Sequence, residues 1–155
     1  MAFDAIDRQI MALLQDDGRM TNVELAERVG LTAPPCLRRV RALEERGAIK
    51  GYHAALNPEA FGFTLTVFAM VSLRSQAEVD LEAFESHVSA IPEVRECHML
   101  NGEIDFILKI VTTDLVSFQK LLTTQLTTAP NVESVKTSLT IRTSKALPGV
   151  PVPAE

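Results

Sequence analysis

Apolar positions recur with a helical period over the first third of the chain and with a period of two over much of the rest. Ile6, Ile10, Leu13 and Leu14 fall at i, i+4, i+7 and i+8, which predicts an amphipathic helix over residues 4–16. Asp16-Asp17-Gly18-Arg19 then reads as a turn. At Thr21 the helical period returns. Thr21 followed by Glu24 is a capping box, Leu25, Ala26 and Val29 supply an apolar side, and Gly30 suits the left-handed residue that ends a helix. A further helix follows almost at once. Pro34 and Pro35 fit its first turn, where an N–H has no intrahelical partner, and its start lies between Thr32 and Pro35. Cys36, Val40 and Leu43, with Leu37 beside them, predict its buried stripe.

After Gly47 the run AIKGYHAAL reads as a short strand or extended linker, ended by Asn57-Pro58. Phe63, Leu65, Val67, Ala69, Val71 and Leu73 then alternate as in a strand, and Phe68 and Met70 imply that its other face is covered too. Phe84, Val88 and Ile91 predict a helix from about Ala77, stopped by Pro92. Val94 to Leu100 is strand-like, and Asn101-Gly102 predicts a two-residue hairpin leading to a strand with Ile104, Phe106, Leu108 and Ile110 on one face. Asp114 can cap a last helix with Leu115, Phe118, Leu121 and Leu122 inward. Val135, Thr137, Leu139 and Ile141 alternate in a final strand, and ALPGVPVPAE reads as an unstructured tail. The order is β-α-β-β-α-β, a ferredoxin-like arrangement that hosts several unrelated functions.

The expected class is therefore α+β. Residues 1–48 form a three-helix domain, 49–61 an extended linker strand, 62–145 the ferredoxin-like domain and 146–155 a proline-rich tail.

Two helices joined by a tight turn, the second exposing arginines near its start, have the layout of a DNA-reading helix-turn-helix. On spacing alone, an αα-hairpin with a solvated basic face remains the alternative. Arg38 and Arg41 point away from the buried stripe and Arg39 lies on its flank. The net charge of −5 argues against a protein that coats nucleic acid indiscriminately. Its distribution refines that: residues 38–50 carry Arg38, Arg39, Arg41, Arg46 and Lys50 against only Glu44 and Glu45. A local basic face on an acidic chain suits a binder of particular sites that acts in more than one copy.

The stretches GRMTNVELAERVGLTAPPCLRRVRALEERGAIKGYHAALNP and ECHMLNGEIDFIL carry a resemblance. The chain resembles, almost end to end, the leucine-responsive regulatory protein and asparagine regulator (Lrp/AsnC) family of prokaryotic transcription factors. That resemblance implies an N-terminal domain that binds double-stranded DNA. It also implies a C-terminal ferredoxin-like domain that dimerises, assembles further into an octamer of four dimers, and senses an amino-acid effector. Thr32, Pro34 and Arg38 are then placed for base edges, with Arg38 able to fork onto a guanine. Arg39 and Arg41 fall as phosphate clamps, and Thr21 and Asn22 as a further phosphate contact.

For the effector, a zwitterion needs an anion for its ammonium and N–H donors for its carboxylate. Glu103 or Asp105 can supply the first, and the backbone around Leu100, Asn101 and Gly102 the second. Without the resemblance, Asn101-Gly102 reads better as a plain turn and Glu103 as a solvated charge, and the resemblance reverses that preference. The resemblance further implies a pocket between subunits, with Thr127, Leu139 and Thr140 on its other wall. The chain departs from the family pattern at Glu103, usually Asp, at Ile104, usually aromatic, and at Phe106, where tyrosine is frequent.

Other classes fit less well. An enzyme is not expected, because the chain offers no activated nucleophile pair, metal cluster or phosphate loop. An architectural DNA protein without an effector differs only through Gly102, Glu103 and Asp105. Cys36 and Cys97 read as small buried hydrophobes, and His53, His87 and His98 do not share a ligand geometry, so no metal or cofactor is expected. No run reaches the roughly 18 apolar residues of a membrane span, and the acidic N-terminus lacks a signal-peptide core, which points to the cytoplasm.

Overall fold

The structure is a computed structural model and describes residues 3–153. The chain divides into two compact units, Met1–Ala55 with Lys145–Glu155, and Leu56–Ser144.

In the first unit α1 spans Ala5–Asp16, α2 Asn22–Arg28 and α3 Ala33–Glu45. Local chemistry sets each start. The Asp4 carboxylate accepts the Asp7 N–H at 2.8 Å, and Thr21 and Glu24 form the full capping box. Gly30, at φ +70°, ends α2, a conformation that a side chain would strain. The core is Ile10, Leu14, Leu25, Ala26, Val29, Cys36 and Leu43. Leu37 departs from the expected stripe: it is 38% exposed, because α3 rests on its neighbours through Cys36 and Leu43 and turns the next residue outward.

No strand forms directly after Gly47; residues 48–57 lack regular structure, and a 3₁₀ turn covers Pro58–Phe61. Of the two expectations for this stretch, the short strand is corrected and an irregular linker stands in its place. Tyr52 in this segment donates its hydroxyl to Glu44 Oε1 at 2.8 Å. The tail is also more ordered than its composition suggests. The Gln15 carboxamide donates to the Val150 carbonyl at 2.7 Å and accepts the Val150 N–H at 3.1 Å. Gly149 takes φ +66°, and a Cβ there would collide with the Gln15 side chain.

In the second unit β1 (Leu65–Leu73), α4 (Glu78–Ser89), β2 (Val94–Met99), β3 (Phe106–Thr112), α5 (Leu115–Leu121) and β4 (Val132–Leu139) follow the expected order, with a π-helical turn at Leu122–Leu126. The sheet runs β2-β3-β1-β4 with all neighbours antiparallel. Val67, Ala69, Val71 and Leu73 alternate onto one face, where Phe106, Leu108 and Ile110 of β3 join them. Phe84 and Val88 of α4 and Phe118 and Leu121 of α5 belong to the same core. The Phe84 and Phe106 rings stand 4.8 Å apart and tilted by 40°. Each such side chain adds about 1.5–3 kcal/mol by leaving water.

The face bearing Phe68 is not covered within one chain, and Phe68 remains 37% exposed. Leu115 and Leu139 are exposed rather than inward, and Ile141 lies beyond the end of β4. Val132, not anticipated, is buried instead, opposite Leu73 beyond a bulge at Ser72/Leu73. Among the described residues no helix is long and apolar enough to cross a membrane.

Candidate nucleic-acid interface and effector loop

The exposed side of α3 carries Pro34, Leu37, Arg38 and Arg41, with Thr32 just ahead of its first turn. Among the described residues Arg38 and Arg41 form no hydrogen bond or ion pair, so both guanidiniums are available to an anion. Arg39 is not equivalent to them. Its Nη1 lies 2.8 Å from Asp4 Oδ2 and 2.7 Å from Asp7 Oδ1, joining α3 to α1. Those bonds, to Asp4 first and Asp7 second, raise the pKa of Arg39 further. Amide donation from Asp7 and the bond from Arg39 hold the Asp4 carboxyl below its usual range. The expected phosphate clamp is thus a clamp within the helical unit, because two carboxylates on a neighbouring helix reach it first.

Thr21 and Asn22 are likewise occupied. The Thr21 hydroxyl donates to Glu24 Oε2 at 2.7 Å and accepts the Glu24 N–H at 3.3 Å. Asn22 Nδ2 donates to the Ala33 carbonyl at 2.8 Å, tying the start of α2 to the start of α3. The Thr21 side chain thus caps α2 and the Asn22 amide joins α2 to α3, so both expected phosphate contacts already have partners within the unit. Thr32 makes no side-chain cap bond and stays exposed. Leu37 is the residue that sequence reasoning misses on this face, because its apolar character assigns it to the core.

The β2–β3 connection is wider than a two-residue hairpin. Met99 pairs with Phe106, and the Leu100 N–H donates to the Asp105 carbonyl at 2.8 Å, closing a loop over Leu100–Asp105. Gly102 does not take the positive φ that a type I′ turn demands. A Cβ built on it would meet nothing within 4 Å, so the loop faces open space there. Leu100, Asn101, Gly102 and Glu103 are exposed, and Glu103 has no partner among the described residues.

Asp105 differs sharply from Glu103. It is 9% exposed, its Oδ2 accepts the Leu73 N–H at 2.7 Å, and its Oδ1 accepts Gln76 Nε2 at 2.8 Å. Its own N–H donates to the Val71 carbonyl at 2.9 Å. Asp105 therefore pins the loop to the end of β1, which leaves Glu103 as the free anion of the pair. Gln76 is a partner that no sequence signal reveals, since nothing around it links it to residue 105.

Leu139 and Thr140 lie elsewhere. Leu139 pairs with Val67, whereas Asp105 bonds to Val71, so the two sets are offset by four residues along β1, roughly 13 Å. The Thr140 N–H donates to the Thr66 carbonyl at 2.9 Å, and its Oγ1 is buried without a partner. Thr127 donates its hydroxyl to the Leu122 carbonyl at 3.1 Å. Within one chain Leu139 and Thr140 do not join Leu100–Glu103 in a single site.

Among the described residues no group of three or more His, Cys, Asp or Glu side chains could hold a metal ion. Burial first, and the Glu85 charge second, push the Cys97 thiol up to about 11, which keeps it protonated and unreactive. His87 Nε2 is 2.8 Å from the Gln125 carbonyl, and His98 stands beside Glu96.

Residues 3–50 match a winged helix-turn-helix DNA-binding family, and residues 66–150 match the Lrp/AsnC ligand binding domain. The leucine-responsive regulatory protein of Rhizobium meliloti is 54% identical over 142 residues, 92% of this chain and 91% of that one. That of Escherichia coli K12 is 43% identical over 134 residues, 86% and 82% of the two chains. Among solved structures, a transcriptional regulator of Neisseria meningitidis in complex with L-methionine superposes with a TM-score of 0.92 at 37% identity, covering 97% of each chain. A feast or famine regulatory protein of M. tuberculosis, also complexed with L-methionine, gives 0.89 at 32% identity over 98% of this chain and 100% of that one. With its helix-turn-helix, its ferredoxin-like sheet and these relatives along nearly its whole length, the chain belongs to the Lrp/AsnC family of DNA-binding transcriptional regulators.

Proposed function

We propose that this regulator acts in the cytoplasm, reads double-stranded DNA with Thr32, Pro34 and Arg38, anchors on phosphate with Arg41, and takes a free amino acid at Leu100–Glu103. The observation that carries the reading is the pair of unpaired charged sites: Arg38 and Arg41 on one unit and Glu103 beside open space at Gly102 on the other. Glu103 would meet the ammonium, and backbone N–H groups of the loop the carboxylate. L-methionine in the Neisseria and M. tuberculosis structures supports an amino acid as the ligand class.

The offset of Leu139 and Thr140 from the loop favours a pocket completed by a second copy. An effector held between copies then favours one assembly over another and changes how paired recognition helices fit half-sites about 34–36 Å apart. A dimer is the smallest such assembly, and an octamer of four dimers is the larger one.

The test is thermal unfolding of the full chain against the twenty amino acids, with light-scattering mass on each. A ligand at a hundred times its dissociation constant adds about 2.7 kcal/mol of stability. The expected result is a hit that disappears in Glu103→Gln while that variant keeps its unliganded melting temperature. No hit across the panel overturns the sensing role and leaves an architectural DNA-binding protein.

A further inference from the structure

We infer that Leu37, flanked by Pro34, reads the C5-methyl group of thymine in the major groove, next to the guanine read by Arg38. This rests on the DNA-reading role of α3 and adds the chemistry of the half-site, which neither the family nor any relative's name supplies.

The geometry of the helix comes first. Pro34, Leu37, Arg38 and Arg41 stand at i, i+3, i+4 and i+7 and form one contiguous face. Cys36, buried, and Leu43, 1% exposed, fix the opposite side against the core. Leu37 is 38% exposed, and Pro34 and Thr32 are exposed beside it. The leading edge of the helix therefore presents a proline ring, a leucine side chain and a threonine methyl.

What this face lacks is equally informative. A major-groove A·T pair can be read through adenine, which takes a bidentate Asn or Gln, or through the thymine methyl, which takes an apolar contact. Ala33–Glu45 contains neither Asn nor Gln. Asn22, the nearest amide, is held against the Ala33 carbonyl at 2.8 Å. Pro34 and Pro35 also remove two N–H groups from the first turn, so the helix end has little hydrogen bonding to offer a base. Without Asn or Gln the bidentate reading of adenine is closed to this helix, and the thymine methyl is the contact that its apolar face supplies. Arg38 supplies the fork for guanine. The half-site is thus expected to place thymine beside guanine.

The experiment uses the full chain and duplexes selected by it from a random pool. Each thymine of a selected duplex is replaced in turn by deoxyuridine, which removes the methyl and leaves every hydrogen-bonding group in place. For the wild type, one or two positions per half-site, next to a selected guanine, should weaken binding about fourfold, the value of one buried methyl. In Leu37→Ala the ratio of thymine to uracil affinity should fall towards one, whatever the change in overall affinity. In Arg41→Ala binding should weaken on every duplex with the uracil effect intact. DNA binding without any uracil effect, or an effect undiminished in Leu37→Ala, overturns this inference alone. Absence of DNA binding overturns the DNA-reading role and this inference with it.

Discussion

The Arg39 guanidinium stands 2.7 Å from the Asp7 carboxylate, so one arginine of the recognition helix is committed to α1 while Arg38 and Arg41 on the same helix are not. Adjacent residues of one type therefore have different tasks. Arg39→Ala should lower the melting temperature by a few degrees and leave the salt dependence of DNA binding unchanged. Arg41→Ala should do the reverse: little change in melting, and a plot of log affinity against log salt that is shallower by about 0.9, the share of a single phosphate. Melting curves and salt titrations of the two variants check this. A slope for Arg41→Ala equal to that of the wild type would show that Arg41 touches no phosphate.

The two acids of the effector loop should separate in the same way. Asp105→Asn places an amide where two donors, the Leu73 N–H and Gln76 Nε2, both need an acceptor. The buried mismatch should cost about 1–3 kcal/mol of stability, read from denaturant unfolding. Glu103→Gln should cost almost nothing without ligand and should abolish the amino-acid-dependent rise in melting temperature.

Tyr52 offers a spectroscopic reporter of the helical unit, since the chain has one tyrosine and no tryptophan. Partial desolvation of a side chain that stays 45% exposed, and then the hydrogen bond to Glu44, raise its pKa to about 12. A pKa raised in the folded state means that the associated stability is complete below the ordinary value of 10.0 and is lost as pH rises towards 12. A tyrosinate absorbance titration should show a single late transition. Glu44→Gln should bring that transition to lower pH, and an unchanged midpoint would remove Glu44 as a contributor.

The acid side has the opposite sign. Thr21 holds the Glu24 carboxyl below its ordinary 4.5, chiefly through its hydroxyl and then its N–H. Amide donation from Ser117, followed by the Ser117 side chain, holds Asp114 below its ordinary 3.8. The stability these caps contribute is present above the ordinary values and is lost as pH falls through the lowered ones. Melting temperature should therefore fall below about pH 4.5, and Glu24→Gln should flatten the upper part of that decline.

The tail makes its own prediction. Gly149→Ala introduces a Cβ that meets the Gln15 side chain and strains a backbone at φ +66°. It should release residues 145–153 to limited proteolysis while circular dichroism of the helices stays unchanged. Gln15→Ala should give the same cleavage pattern by removing both bonds to Val150. Protection equal to the wild type in both variants would show that Gln15 does not hold the tail.

Local chemistry was readable without coordinates. The Thr21–Glu24 box, Gly30 and the Asp114 cap each act within a few residues, and all appear where spacing put them. The alternation of Val67, Ala69, Val71 and Leu73 likewise marked the core face of β1, because side-chain direction along a strand is set by the backbone itself. These signals were enough for the order of elements and for the two exposed arginines.

Pairing between distant elements was not readable in that way. Arg39 meets Asp7 across 32 residues, Asp105 meets Gln76 across 29, and Gln15 meets Val150 across 135. A helical or strand period reports which side a residue faces, not which group waits on the opposite surface. The chain by itself determined the order of elements and the charged face of α3, whereas packing placed the tail with the first unit. Only packing decided that Arg39 and Asp105 serve the fold, that Leu37 turns outward and that Glu103 stays free, because each outcome depends on what a second element brings within hydrogen-bonding reach.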